Sequence, residues 1–347
     1  MVAACSTLAA ACGLSMAGEK VVTEMSLDGT VTGDADFGDG GNEGSGGDLN
    51  NYDGGTFAGD DGSSPGATDS ASGTCDFNGT WGSLLEISVS WAPEGLNLQA
   101  FILAPGSGMI KQWIKGTRVQ RGNSLVDTTF VCGIDLPDFQ GTEAVAGQTY
   151  GVVFPDSLFD DMYLPSFDVV GTLTAAGPGA TYTTSASAAL LGLTMANPTT
   201  DPWPATVTTS VDSDRDTKPG VTADVAQGGP YSNIPVGIPA PFAPVITADK
   251  LYLAIRQVTE VTGTVTDCDH VSGTVTIPQI AGQYAINSHV LGCQLTDGGD
   301  CTTSGSSSQA SFVDNTQPVF TPSGTTSFAS VRLPAGATCA TVREMLQ

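Results

Sequence analysis

The chain has 347 residues, of which 36 are acidic and 11 are basic, so its formal net charge at pH 7 is −25. A chain this acidic repels phosphate groups, which argues against a nucleic-acid partner, and two histidines are too few for a histidine-rich metal enzyme. The longest apolar run, 186–196, falls short of the roughly 20 residues that a membrane-spanning helix needs.

The first twelve residues are small, apolar and uncharged, and they end in a cysteine that is followed by glycine. Such a segment is typical of the end of a secretory signal peptide. The run 8–12, Leu-Ala-Ala-Ala-Cys, resembles the lipobox of bacterial lipoproteins, which implies that 1–12 is a lipoprotein signal peptide and that Cys12 carries the lipid. Cys5 is a second match, and a short helix at the start of a cytoplasmic protein is the alternative.

Residues 13–74 form a second segment of distinct composition. Residues 29–73 include 14 glycines, and residues 13–75 carry 12 acidic side chains against the single basic Lys20. Such a stretch buries too little apolar surface to offset its ordering entropy, and its like charges repel each other. We therefore expect a disordered, extended tether over 13–74. Its aspartates have no regular spacing, so any calcium bound there would be weak and nonspecific.

The remaining residues, 75–347, show one strand pattern after another. In the first pattern the apolar residues of 85–91 alternate with polar ones, and Gly, Pro, Asn or Asp bounds almost every run. We therefore predict an all-β fold, a single antiparallel β-barrel or sandwich domain behind the disordered N-terminal tether. The further predicted strands are 96–102, 109–119, 123–132, 148–154, 167–174, 180–187, 250–266, 271–278, 284–292 and 325–333, and a short helical turn is predicted near 342–346.

A local repeat gives the sharpest prediction of topology. The segment 261–266, Val-Thr-Gly-Thr-Val-Thr, is echoed by 271–276, Val-Ser-Gly-Thr-Val-Thr, with a polar tetrad between them. Two alternating runs joined in this way predict a β-hairpin, which suits an up-and-down barrel or a sandwich. The Pro-rich stretch 199–244 has few strand signals, and we interpret it as a long excursion within one domain rather than a boundary between two.

Six cysteines remain once Cys5 and Cys12 are set aside, and an even number in an exported chain predicts disulfides. Six cysteines allow 15 pairings, and the irregular spacings argue against a zinc site. The disulfide cysteines are expected to pair as Cys75–Cys132, Cys268–Cys339 and Cys293–Cys301.

Three aspartates at alternate positions of 212–216 resemble the start of an EF-hand calcium loop. The resemblance then fails, because Thr217 stands where the loop needs glycine and Ala223 where it needs a bidentate glutamate. Two interpretations remain: a looser extracellular calcium loop, or a solvated acidic loop that binds no metal. The candidate calcium ligands are Asp212, Asp214, Asp216 and Asp224.

Gly79-Thr80-Trp81 opens the first strand and resembles the Gly-x-Trp signature of lipocalins. Its tryptophan either contacts a ligand or plugs one end of a barrel. Two arginines share strand faces with aromatic residues, where they could bind a ligand carboxylate or phosphate, or could equally face solvent. The candidate ligand-binding residues are Trp81, Tyr252, Arg256 and Arg332.

The order of lipobox, acidic tether and disulfide-bonded β domain resembles that of uncharacterised bacterial outer-membrane or surface lipoproteins. The resemblance implies an exported protein that a lipid holds at the outer membrane or cell surface. The sequence contains no recognisable set of catalytic residues, so we expect a non-enzymatic protein. Its β domain would bind a small apolar or amphipathic ligand, or would act as a structural or protein-interaction module with a filled core. An unfilled apolar cavity would favour the first function.

Overall fold

The computed structural model describes residues 73–92, 103–142, 147–160, 164–236, 246–301 and 319–347. The predicted signal peptide, the lipidation site Cys12 and nearly all of the predicted tether lie outside the described residues, as does the predicted strand 96–102.

Strands dominate the described residues, which confirms the all-β prediction. No helix in this part of the chain has the length and apolar character to cross a membrane. The strands in chain order are β1 (Gly79–Trp91), β2 (Gly106–Arg121), β3 (Ser124–Asp135), β4 (Phe139–Gln140), β5 (Thr149–Tyr150), β6 (Val152–Val153), β7 (Phe167–Leu173), β8 (Thr181–Thr184), β9 (Ser187–Leu191), β10 (Val221–Val225), β11 (Ile234–Pro235), β12 (Thr247–Asp267), β13 (His270–Thr276), β14 (Gln279–Ile280), β15 (Gln283–Tyr284), β16 (Ile286–Leu295) and β17 (Phe320–Arg332). The helices are α1 (Asp156–Asp160) and α2 (Cys339–Met345).

Eight of these strands form a closed circuit of antiparallel pairs. Around the circuit they follow the order of the chain: β1, β2, β3, β7, β8, β12, β13 and β17. The last strand pairs back with the first, from Trp81 opposite Arg332 to Trp91 opposite Phe320. The choice between barrel and sandwich is thereby decided in favour of an up-and-down barrel.

The long strand β12 also pairs with strands outside the closed circuit. One edge of β12 pairs in turn with β11, β10, β9 and β8, and the other edge pairs with β16 and then β13. Both β10 and β11 lie in the Pro-rich stretch 199–244, where strand signals are few. Their alternating pattern was too short to stand out, but pairing with β12 stabilises them.

The predicted hairpin is confirmed by β12 and β13, whose register runs from Glu260 opposite Thr276 to Asp267 opposite His270. The repeated glycines have a steric cause. Gly263 lies opposite Gly273, and a Cβ on Gly273 would come within 2.2 Å of the carbonyl oxygen of Thr262. The two backbones approach too closely for a side chain at this point of the barrel wall.

Helix α2 covers the outer face of β2 and β3. Thr338 caps its N-terminus, and its side-chain oxygen accepts a hydrogen bond from the backbone N–H of Thr341. Trp113 Nε1 donates to the carbonyl oxygen of Leu346 (2.7 Å), and Arg343 Nη1 donates to that of Cys132 (2.6 Å). The chain's end is therefore fixed to the barrel wall.

Three disulfides join the six distal cysteines. The predicted pair Cys293–Cys301 is confirmed, whereas the other two predicted pairs are wrong: the structure joins Cys75 to Cys268 and Cys132 to Cys339. The reason is the closure of the barrel. Cys75 precedes β1 and lies near the β12–β13 turn that contains Cys268, while α2 places Cys339 against β3 and Cys132.

Candidate functional site

One end of the barrel contains an apolar cavity of about 100 Å³, here called the upper cavity. Aliphatic and aromatic side chains form most of its lining, and ten strands contribute to it. On β12 the lining side chains are those of every second residue from Leu251 to Gln257, as the period of two requires. The lining residues on strands are Ile110, Gln112, Ile134, Phe139, Tyr150, Val152, Ala189, Leu191, Ile234, Leu251, Leu253, Ile255, Gln257, Ile286, Asn287, Ser288, Val290 and Phe320, and Leu103 and Leu136 complete it.

Two buried glutamines lie at the base of the upper cavity. Gln257 Nε2 donates a hydrogen bond to Gln112 Oε1 at 2.7 Å, and the two side chains come from β12 and β2 on different sides of the barrel. Below them lies a second space of about 40 Å³, here called the lower chamber. Gln112, Gln257 and Ala189 line both spaces, so the two are adjacent.

The lower chamber contains a buried ion pair. Arg118 on β2 and Asp127 on β3 are direct cross-strand partners and are 2 % and 6 % exposed. Arg118 Nε donates to Asp127 Oδ1 at 2.8 Å, and Nη2 donates to Oδ2 at 2.7 Å. Burial disfavours the charged guanidinium, but the hydrogen bond to Asp127 and the charges of Tyr182 and Asp127 together outweigh this, so the pKa of Arg118 is raised. The chamber therefore holds two opposite charges that neutralise each other.

Trp81 is buried beside Arg118, at the other end of the barrel. Two guanidinium groups contact its ring, with Cζ of Arg118 4.3 Å and Cζ of Arg332 5.1 Å from a ring centroid. Its Nε1 donates to the carbonyl oxygen of Phe77 at 3.0 Å. Trp81 is in the lining of neither space, so the structure places it as a plug.

The other three predicted ligand residues are also absent from the linings of both spaces. Arg256 is fully buried, and its guanidinium donates to Asn287 Oδ1 and to the carbonyl oxygen of Asp201. Tyr252 is buried, which raises its pKa to about 12. Arg332 forms an ion pair with Asp269 at 2.6 Å.

Sequence reasoning passed over the residues that do meet inside the barrel. Gln112, Arg118 and Gln257 occupy inward positions on strands whose other inward residues are mostly apolar. A polar residue at an inward position could have identified them. A buried polar side chain needs a hydrogen-bond partner, so it indicates a polar site inside the barrel. The alternation of β2 places Gln112 and Arg118 on the same face as Ile110 and Ile114.

The predicted calcium ligands divide into two groups. Carboxylate oxygens of Asp212, Asp214 and Asp216 lie within 4.8 Å of one another. Asp224 is not among them, since its carboxylate pairs with Lys250 Nζ at 2.7 Å. The pKa of Asp214 is raised, chiefly by burial and also by the charge of Asp216. Calcium binding by the first three stays a prediction.

Calcium is expected to raise the melting temperature modestly, with a dissociation constant on the order of 10⁻⁴–10⁻³ M. Because its pKa is raised, ionisation of Asp214 lowers the stability of the fold as pH rises from the ordinary value of 3.8 through the raised pKa. A bound cation would offset this loss of stability at neutral pH. Thermal unfolding with calcium and with chelator tests this. Asp214→Asn should weaken the calcium response and Asp224→Asn should leave it intact; identical melting of the wild type in both solutions would refute it.

Comparison with known proteins gives no match: no family model, curated protein or solved structure matches the chain. The two spaces inside the barrel are the features of the described residues that point to a function.

Proposed function

We propose that the β domain is a non-enzymatic binding module that holds a small apolar or amphipathic ligand in the upper cavity. The supporting observation is the cavity itself: about 100 Å³ that the described side chains leave open, with a lining dominated by Leu, Ile, Val and Phe. A protein with a purely structural role gains stability by filling such a space, because an open cavity forfeits packing energy.

The volume limits the ligand. An engineered cavity of about 150 Å³ in another protein stays dry and binds benzene, so the upper cavity suits a single ring or a short alkyl chain. An eight-stranded barrel is of the size that encloses either its own side chains or one small ligand. A whole phospholipid exceeds this space.

Two neighbouring valines of β6 provide a matched test. Val152 lines the cavity, whereas Val153 is 50 % exposed on the outer face. Val152→Phe should fill part of the cavity and abolish binding of toluene, while Val153→Phe should bind it as the wild type does. The measurement is the rise of the melting temperature with toluene, since a ligand present at 100 Kd stabilises a fold by about 2.7 kcal/mol.

Native mass spectrometry of the protein purified from its own host would identify a retained ligand. If the wild type neither retains a ligand nor responds to toluene and short alkanes, the proposal fails, and a structural or protein-interaction role becomes the better reading. Equal toluene binding by the two valine variants would show that the ligand lies elsewhere.

We further propose that this barrel is exported and is held at the outer membrane or cell surface by a lipid on Cys12. Two observations support export: the lipobox-like run before Cys12, and three disulfides that use all six distal cysteines. Disulfides form and persist in oxidising compartments. The several acyl chains of a bacterial lipoprotein would anchor the chain more firmly than one acyl chain.

A further inference from the structure

The lower chamber contains a buried donor that lacks an acceptor. Arg118 uses Nε and Nη2 for Asp127, which leaves Nη1 on the opposite edge of the guanidinium. Nη1 is buried and has no hydrogen-bond partner among the described residues. A buried N–H without an acceptor costs free energy, and native proteins rarely tolerate one. An oxygen atom from a bound molecule would satisfy it.

The charge of the chamber restricts that molecule. Asp127 already neutralises Arg118 in a two-point contact. An anionic head would place a second negative charge beside Asp127, and a cationic head would face the guanidinium. Either would also lose its own hydration in a buried space. An uncharged oxygen avoids both costs.

The surroundings of the ion pair favour the same chemistry. Six hydroxyl-bearing residues line the lower chamber together with the pair: Ser83, Thr129, Tyr182, Thr184, Ser187 and Thr259. Hydroxyl groups can donate or accept, so they suit a neutral head. The chamber's volume of about 40 Å³ accommodates a head of very few atoms.

The two spaces are close enough for one ligand to reach both. Ala189, Gln112 and Gln257 belong to both linings, so the upper cavity ends where the lower chamber begins. A molecule with a short apolar chain in the upper cavity would direct its other end towards Gln112, Gln257 and then Arg118.

We infer that the ligand is an uncharged amphiphile with one oxygen-bearing head, a hydroxyl or a carbonyl. The head accepts a hydrogen bond from Arg118 Nη1 in the lower chamber, and a short apolar chain fills the upper cavity. This inference rests on the proposed binding function and adds the chemical class of the ligand.

Four probes with the same six-carbon chain test the head: hexane, 1-hexanol, hexanoate and hexylammonium. Affinities are measured by the shift of the melting temperature and by NMR titration of the full chain. The charged probes should bind at least roughly 10-fold more weakly than 1-hexanol, because each would bury a charge without a counter-ion. Equal binding of hexanoate or hexylammonium would overturn the neutral-head assignment.

A double variant tests the role of Arg118. In Arg118→Met/Asp127→Leu the chamber becomes apolar, so the ratio of 1-hexanol affinity to hexane affinity should fall roughly 10-fold. The matched control is Lys111→Met/Glu86→Leu, which removes an ion pair of 3.2 Å between half-exposed side chains of the same two types of charge. The control should leave the ratio unchanged.

A measurement on the wild type keeps the test independent of the variant's folding. The side-chain N–H signals of Arg118 should shift when 1-hexanol binds and should not shift when hexane binds. If 1-hexanol and hexane shift these signals equally, or if the folded double variant keeps the wild-type affinity ratio, Nη1 binds only water. Either result would overturn the assignment of the head group and leave the proposed binding function standing. If no probe binds at all, the proposed function fails with it.

Discussion

Replacing Arg118 alone by methionine is expected to lower the free energy of unfolding by about 3–5 kcal/mol. The substitution leaves the carboxylate of Asp127, which is 6 % exposed, without its two charge-assisted hydrogen bonds. Removing one partner of a buried ion pair is costly because the other charge stays buried without compensation. Methionine retains much of the packing against Trp81, so the loss reports mainly on the carboxylate.

The double variant Arg118→Met/Asp127→Leu should recover most of that loss, because replacing a buried pair by apolar residues of similar volume is often neutral or stabilising. Urea unfolding of the single and double variants gives both free energies. The surface control Lys111→Met should cost less than about 1 kcal/mol. If Arg118→Met costs no more than that control, the buried pair contributes nothing to the fold.

Removing the disulfide Cys132–Cys339 is expected to cost about 4–5 kcal/mol. The two cysteines are 207 positions apart, so the bridge closes a long loop and strongly reduces the entropy of the unfolded chain. In the folded protein it also fixes α2 on the outer face of β3. The variant Cys132→Ala/Cys339→Ala therefore loses both effects, and chemical unfolding measures the sum.

The short bridge Cys293–Cys301, with a separation of 8, is the matched control. Its double alanine variant should lower the free energy of unfolding by only about 2.5 kcal/mol. Opening a short loop adds little conformational entropy to the unfolded chain. Non-reducing peptide mapping establishes the pairings first. Recovery of Cys75 linked to Cys132, or an equal cost for both double variants, would contradict the arrangement.

The strands were predictable where their own side chains specify them. In β1 the alternating pattern of Leu85, Ile87, Val89 and Trp91 follows directly from one face being buried. The hairpin of β12 and β13 was predictable because its two arms are adjacent in the chain. By contrast, β10 and β11 carry too few residues for a pattern and depend on their pairing with β12.

The candidate site was far less predictable. Trp81 looked like a ligand residue because of its Gly-x-Trp motif, and Arg256 because it shared a strand face with an aromatic residue. The first plugs the barrel, and the second is held by Asn287 and backbone oxygens. A strand pattern states which residues face inward and not how completely neighbouring strands fill the interior. The upper cavity is a property of ten strands at once.

The sequence by itself determined the all-β class and the antiparallel meander, because alternation and turn residues act within a few positions of each other. Only the tertiary structure decided the closure of the barrel, the partners of Cys75 and Cys132, and the meeting of Gln112 with Gln257. Each of these contacts joins residues more than a hundred positions apart, and local side-chain patterns contain no information about such distances.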